Sequence, residues 1–289
     1  MKKPKLAHSY WHKPKLKKMR NGFSVSDNEY ADLLCAANSV MFAKRNGLEI
    51  SLYTDTAGHN KFGFLPYDDV VICLENHNAN TALWASGKIE AYQYMPQKTI
   101  HIDMDAYIKR PMCVELLEQL ENYDLIVQNK EYNYNTDPHY SYVVREVVNL
   151  VGEHITELPE FDLSIDVHSY SCGFVGFNSE ELKARYIEGY RILHDKITTC
   201  AGFAERNQAV CLDLIVEQAY LQMAATYLKK NVFGVLSSHY EENHAFSRKI
   251  GYTHLTHISK YHPKVIKKNE ALLKEISPEI HKKVLEFKP

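Results

Sequence analysis

The chain has 289 residues, 45% of them hydrophobic and 24% charged, enough for one large α/β domain or two smaller ones. A formal net charge of −2 argues against the strongly basic class of nucleic-acid binders. Near the core the longest apolar run is Val70–Leu74, far short of the ~20 residues that cross a bilayer. The basic N-terminus is followed by no apolar segment, so no signal peptide is expected.

Charge is segregated along the chain. Residues 1–20 carry seven Lys and one Arg without an acid, and residues 260–289 carry eight Lys against four Glu, which leaves −14 between them. Basic ends on an acidic body suit contact with an anionic membrane, and solvated termini explain the same pattern. The six cysteines form no CxxC pair. Cys35, Cys73 and Cys113 lie in or beside apolar stretches, where thiols act as small core hydrophobes. A reduced, cytoplasmic protein is expected, peripheral on the inner membrane face if the basic ends dock there.

Leu6–Tyr10 reads as a first strand. Ser26-Asp-Asn-Glu29 reads as a capping box with Ser26 as N-cap, followed by Tyr30, Leu33, Leu34, Ala37 and Met41 on one helical face. Lys44 and Arg45 suit that helix's C-terminal end, and Gly47 supplies a left-handed stop. Leu48–Tyr53 alternates as a half-buried strand, and Val70–Leu74 reads as a strand buried on both faces. Leu83–Tyr94 is helical, and Thr99–Ile102 is a strand that ends at Asp103-Met104-Asp105. In the second half, Leu125–Gln128 is a strand, and a tyrosine-rich loop (Tyr132, Tyr134, Tyr140, Tyr142) follows. A strand pair spans Ser164–Asn178, helices run from Glu180 and from near Glu205 to Lys229, and a last strand covers Val232–Leu236. Strands separated by helices predict a mostly parallel, doubly wound sheet. Such sheets bind ligands outside the strands' carboxyl ends, where Tyr10-Trp11, Asp55 and Asp103/Asp105 all fall. No Pro/Gly/Ser-rich linker divides the chain, so one domain over 1–289 is expected.

Two carboxylates two residues apart at a strand end can converge on one hard cation, Mg²⁺ or Mn²⁺; such pairs also serve as turn and cap residues. His254 can complete a metal's coordination, and Lys260, six residues later, can meet a diphosphate as a point charge; fifteen histidines make a surface role equally ordinary. Tyr10 and Trp11 can stack on a nucleobase or pack in the core. Asp55 can take a nucleoside hydroxyl or close an Asx turn near Gly58. Glu217 and Gln218 can meet a transferred sugar or form a solvated helix face. The tyrosine-rich loop can stack on acceptor sugars or serve as a lid.

Ile100-His-Ile-Asp103-Met-Asp105, Lys88 in the preceding helix, and His254, His257 and Lys260 follow one another in a familiar order. In this the chain resembles GT-A-fold, nucleotide-sugar-dependent glycosyltransferases, and among them family 8, which includes lipopolysaccharide galactosyl- and glucosyltransferases and glycogenin. Ser171-Cys172-Gly173 resembles the family's N-A-G strand motif with Ser in place of Asn. Glu217-Gln218 resembles its D-Q pair, and His257 stands where H-x-x-G-x-x-K has Gly, as in a diverged relative.

The resemblance implies a GT-A (Rossmann-like), mostly parallel sheet flanked by helices, with a C-terminal helical tail closing the donor site. It divides the chain into a nucleotide-binding half (1–110), an acceptor and catalytic half (111–260) and a basic tail (261–289). It implies transfer of a sugar from a nucleotide-diphosphate sugar, UDP-linked, to a glycan or lipid-linked acceptor in surface-polysaccharide synthesis, with retention. Asp103, Asp105 and His254 would hold Mn²⁺ or Mg²⁺. Tyr10, Trp11, Asp55, Lys88, Met104, Ser171, Gly173 and Lys260 would bind the nucleotide sugar, and Glu217 and Gln218 would be catalytic. Nucleic acid is not an expected partner. Two other classes share the DxD pattern: a haloacid-dehalogenase-like phosphatase using Asp103 and Asp105, although Tyr107 stands where that motif has Thr or Val, and a non-catalytic nucleotide- or carbohydrate-binding protein.

Overall fold

The computed structural model describes residues 3–16, 25–133, 147–152, 157–161, 168–209, 212–236, 240–255 and 257–288. The chain divides into two compact units: Met1–Glu75, Thr99–Gln119 and His244–Pro289 form the first, and Asn76–Lys98 with Leu120–Asn243 the second.

In the first unit, β1 (Lys5–Tyr10), β2 (Ile50–Thr54), β3 (Asp69–Ile72) and β4 (Thr99–Ile102) run in the order β3-β2-β1-β4. All three pairings are parallel, with Leu6 opposite Ile50 and Ala7 opposite His101. Being central, β1 buries Leu6, Ala7 and His8 almost completely. The predicted strand at Val70–Leu74 forms, but not buried on both faces: β3 is the outermost strand of its set, Asp69 and Ile72 are exposed, and Val70 and Val71 are half-buried. A short apolar run does not tell a central strand from an edge strand.

Helix α1 (Val25–Arg45) begins one residue ahead of the predicted N-cap Ser26, so Ser26 lies within the helix; the side chains of 25–28 are outside the described residues. The expected single apolar face is in fact a full circumference: every residue from Tyr30 to Val40 is buried. Its polar members are satisfied inside, as burial requires. Asn38 donates to the carbonyls of Leu34 and Asn269, and Ser39 donates to Ala106 O at 2.6 Å. The helix ends as expected, with Gly47 at φ +66 and its N–H on Lys44 O. Asp55 caps α2 (Thr56–Phe62), accepting from Gly58 N at 2.7 Å.

His8 bridges β1 to α1. Since the Ser39 hydroxyl is given to Ala106 O, Ser39 Oγ accepts from His8 Nε2 at 3.0 Å, and His8 Nδ1 accepts from the Tyr67 hydroxyl at 2.8 Å. Burial pushes the imidazole pKa down to about 3, so this chain of hydrogen bonds is held by a neutral ring.

A second, two-stranded ribbon pairs β5 (Ala106–Ile108) antiparallel with a strand near the C-terminus, Tyr252–His254. Between them in sequence comes α4 (Pro111–Glu118).

The second unit carries α3 (Ser86–Tyr92), β6 (Leu125–Asn133), a short helix α5 over 147–151, and β7 (His168–Phe177). Next come α6 (Glu180–Thr199), α7 (Phe203–Ala209), a π-helical segment (Leu214–Ala219), α8 (Tyr220–Tyr227) and β8 (Val232–Leu236). Strand β6 lies between its neighbours, antiparallel to β7 and parallel to β8. Of the strand pair predicted over Ser164–Asn178, the described residues form one ten-residue strand, which pairs antiparallel with β6. Of the tyrosine-rich segment expected as a loop, Tyr132 lies in β6; its side chain and residues 134–146 lie outside the described residues.

The single helix expected from Glu205 to Lys229 is broken. A π turn inserts one extra residue into the spiral, a shift that 3.6-residue periodicity does not reveal. Ser179 caps α6, whose Tyr186 joins Tyr92, Phe177 and Tyr220 in an aromatic cluster with ring centroids 5.4–6.4 Å apart.

The remaining helices are α9 (Tyr240–Ile250), then, after strand β9 (Tyr252–His254), a 3-10 turn (His257–Tyr261), α10 (Pro263–Ile276) and α11 (Pro278–Leu285). Both α10 and α11 carry Pro in the first turn behind a side-chain cap, His262 and Ser277, where a missing N–H costs nothing. Among the described residues no helix is long and apolar enough to cross a membrane.

Candidate functional site

Strand β4 is buried along its whole length and stops at Ile102. The chain then turns through Asp103-Met104-Asp105, with Ala106 N donating to Asp103 O at 2.9 Å, and enters β5. The β5–β9 register sets Ala106 opposite His254, and Leu255 N donates to Asp105 O at 3.0 Å. Pairing of two short strands about 150 residues apart is therefore what brings the imidazole to the carboxylates.

His254 Nε2 lies 3.3 Å from Asp105 Oδ1 and 3.6 Å from Asp103 Oδ2. One ligand atom from each of the three falls within 4.8 Å of the others. Adjacent ligands of an octahedral ion with bonds of 2.0–2.1 Å are separated by about 3 Å. Two carboxylates and one imidazole at these separations thus fit a small divalent cation such as Mn²⁺ or Mg²⁺ with little rearrangement. Behind Asp103 sits buried His101, whose Nδ1 is 4.0 Å from Oδ1 and whose Nε2 meets Ser9 Oγ at 2.9 Å. Met104 is half-buried between the two aspartates.

Lys260 comes from the 3-10 turn after β9. Its Nζ donates to Asp105 Oδ2 at 2.8 Å and lies 3.5 Å from Asp32 Oδ1. The Tyr261 hydroxyl donates to the same Asp32 oxygen at 3.1 Å. Burial alone would raise the Asp105 pKa, but the Lys260 charge and the His254 hydrogen bond hold it far below the carboxylate range. Burial would lower Lys260; Asp105 and Asp32 outweigh it and raise the ammonium pKa well above its ordinary value. The group is therefore an ionised carboxylate–ammonium network, the state required for binding a cation and an anion side by side.

Asp32 and the Ser9–His101 contact were missed by sequence reasoning. Asp32 did leave a signal: it is the one charged residue in the buried stretch Tyr30–Val40. The backbone of His257 lies in the 3-10 turn, but its side chain is outside the described residues.

Tyr10, Trp11 and Asp55 also lie in the first unit, at the carboxyl end of β1 and β2. Tyr10 is 6% exposed and packs edge-on against Phe62 at 4.7 Å, and Trp11 is 5% exposed with Lys13 Nζ over its ring. Both oxygens of Asp55 already take backbone donors, Gly58 N and His12 N. In the structure these three residues therefore perform the packing and turn roles that the sequence left open beside ligand contact.

In the second unit the sequence-predicted residues cluster differently. Lys88 on α3 and Glu217 on the π turn, read separately from sequence, form one buried ion pair at 2.8 Å, with side chains 8% and 1% exposed. Lys88 Nζ also donates to Cys172 O in β7, which joins Ser171-Cys172-Gly173 to the pair. Glu217 is thus not on a solvated helix face; Gln218, next to it, is half-buried. Nearby, the buried Asp213 carboxylate accepts from Trp84 N and Ala85 N, satisfying amide donors that a helix start leaves open.

Solved structures similar to this chain include mouse xyloside xylosyltransferase 1 in its apo form, at 11% identity over 81% of this chain and 85% of that one, TM-score 0.38. Another is the galactosyltransferase LgtC in complex with donor and acceptor sugar analogues, at 13% identity over 97% and 99%, TM-score 0.40. At such TM-scores neither likeness carries an argument. No curated protein matches. A family model described as a family of unknown function, DUF6734, matches residues 4–287.

Proposed function

We propose, from the premise that this chain belongs to the DUF6734 family, that it is a divalent-metal-dependent glycosyltransferase using a nucleotide-diphosphate sugar. The observation that carries the reading is the convergence of Asp103, Asp105 and His254 at the carboxyl end of β4 with Lys260 beside them. The ordered motif resemblance to GT-A enzymes supports it.

In this reading Asp103, Asp105 and His254 hold Mn²⁺ or Mg²⁺. When bound, the cation neutralises negative charge on the diphosphate leaving group. Lys260 adds a second positive charge at a donor phosphate oxygen. Met104 contacts the nucleoside between the aspartates, and Tyr10, Trp11 and Asp55 support that end of the site. In the second unit, Lys88, Ser171, Gly173, Glu217 and Gln218 are assigned to the transferred sugar and the acceptor, a glycan or lipid-linked saccharide. Lys88 pairs with Glu217 at 2.8 Å and holds it in place, and a fixed carboxylate can stabilise positive charge developing at an anomeric carbon without reorganising. The retaining outcome, UDP as nucleotide and surface-polysaccharide synthesis belong to the same proposal.

The test is a ligand screen read by thermal denaturation. Nucleotide sugars should raise the melting temperature only when Mn²⁺ or Mg²⁺ is present, since a ligand that binds only the native state stabilises it by mass action. Slow release of free sugar without acceptor should accompany the shift. Release of inorganic phosphate instead would replace this reading with the phosphatase one.

Membrane contact is part of the proposal. The first unit exposes Arg110, Arg248, Lys249, Lys264, Lys267 and Lys268, which adds to the basic N-terminal segment and supports peripheral docking at the cytoplasmic face of an anionic membrane. Binding to anionic vesicles should therefore weaken steeply with added salt. It should also fall when residues 1–5 are deleted and Lys13, Lys15, Lys17 and Lys18 are neutralised. Equal binding to neutral and anionic vesicles would refute the docking.

A further inference from the structure

One oxygen of Asp105 faces the candidate cation ligands, and the other faces a lysine. Oδ1 is 3.3 Å from His254 Nε2, and Oδ2 is 2.8 Å from Lys260 Nζ. Lys260 is in turn 3.5 Å from Asp32, a residue 8% exposed within the buried stretch Tyr30–Val40 of its helix. A carboxylate in such a place is costly unless it is paired and hydrogen-bonded. The partners that satisfy it include Lys260 and the hydroxyl of Tyr261, adjacent residues of one turn. Among the described residues Asp32 is not part of the Asp103–Asp105–His254 group; it lies beside the Lys260 ammonium group that also meets Asp105.

We propose that Lys260 is a resident counter-cation of the carboxylate site, shared between Asp105 and Asp32, that makes divalent cation and diphosphate bind cooperatively, with Asp32 the positioning residue that sets the coupling. This rests on the proposed function above.

A cation held by Asp103, Asp105 and His254 would share Asp105 with the ammonium group. Like charges that close, in a partly desolvated site, repel far more than they would in bulk water. Cation alone therefore binds against the lysine. A diphosphate supplies acceptors that draw Lys260 off Asp105, which frees the carboxylate for the cation. By thermodynamic reciprocity each ligand then strengthens the other by the same factor. Asp32 shares the ammonium group with Asp105. Without its charge, Lys260 leans wholly on Asp105, and cation binding suffers.

The experiment measures Mn²⁺ affinity of the full chain by calorimetry, alone and with inorganic pyrophosphate, subtracting the solution complex of the two. In the wild type, pyrophosphate should tighten Mn²⁺ binding by about tenfold, within the range of measured couplings between contacting charged groups. Lys260→Met should bind Mn²⁺ alone more tightly than the wild type and show a smaller coupling, reduced to the direct attraction between cation and diphosphate. Asp32→Asn should bind Mn²⁺ alone several-fold more weakly, and this effect should vanish in the Asp32→Asn/Lys260→Met double variant. A merely structural or long-range electrostatic role for Asp32 would persist there. Independent binding of Mn²⁺ and pyrophosphate to the wild type overturns the proposal, and this arm decides even if Lys260→Met does not fold. So does unchanged Mn²⁺ affinity in a folded Lys260→Met. A wild type that binds no Mn²⁺ under either condition instead fails the metal reading itself, and the two failures are thereby told apart.

Discussion

Replacing Asp105 by alanine is expected to abolish sugar transfer and metal-dependent nucleotide binding together, while leaving a folded chain. Asp105 is the hub of the site: its two oxygens reach His254 and Lys260, and its backbone carbonyl holds Leu255 N. Alanine removes the charge but keeps that carbonyl, so the β5–β9 ribbon retains its backbone bond. Lys260 retains Asp32, which spares the variant an orphaned buried ammonium group, the usual reason such substitutions unfold proteins. Asp103→Ala should lose the same activities. Its carboxylate is the more exposed of the two, 27% against 14%, so its removal should disturb stability less. Circular dichroism and thermal denaturation establish the fold, and calorimetry with Mn²⁺ and a nucleoside diphosphate reads the site. Full transfer activity in EDTA, or in both variants, would refute the assignment.

Lys88→Met is expected to destabilise the second unit by about 3–5 kcal/mol, because it strands Glu217 as an unpaired buried carboxylate. The pair is 2.8 Å apart with both side chains almost wholly buried, and Lys88 also holds Cys172 O. Exchanging both members for apolar residues of similar volume removes the uncompensated charge. The double variant Lys88→Met/Glu217→Leu should therefore recover most of the loss while remaining without transfer activity. Urea denaturation monitored by fluorescence measures both arms. A single-variant loss below about 1 kcal/mol would be the value of an exposed salt bridge and would contradict the burial of this pair.

Strand β4 and the aspartates that end it were legible in the sequence, because isoleucines alternating with polar residues and followed by an acidic break are a local pattern. So were β1, the C-terminal stop at Gly47 and the last strand, Val232–Leu236, each set by hydrophobic periodicity or by a backbone angle that glycine tolerates. The order of Lys88, Asp103/Asp105, His254 and Lys260 along the chain was legible too, as a resemblance, although spacing alone says nothing of their separation in space.

What the tertiary structure decided is partnership and depth. His254 reaches the aspartates because Ala106 pairs with it across a short antiparallel ribbon, a long-range register with no local signature. Lys88 and Glu217 become one buried ion pair in the fold, where the sequence left Glu217 open between a sugar contact and a solvated helix face. Asp32 joins Lys260 because α1 is enclosed on every face, not on one. Val70–Ile72 is an edge strand because no further strand pairs beyond it among the described residues. Local sequence determines which backbone conformation a segment prefers and which residues carry charge. Burial and pairing depend on what the rest of the chain brings alongside, and for a charged side chain those neighbours decide whether it becomes a solvated surface group, a cation ligand or half of a buried pair.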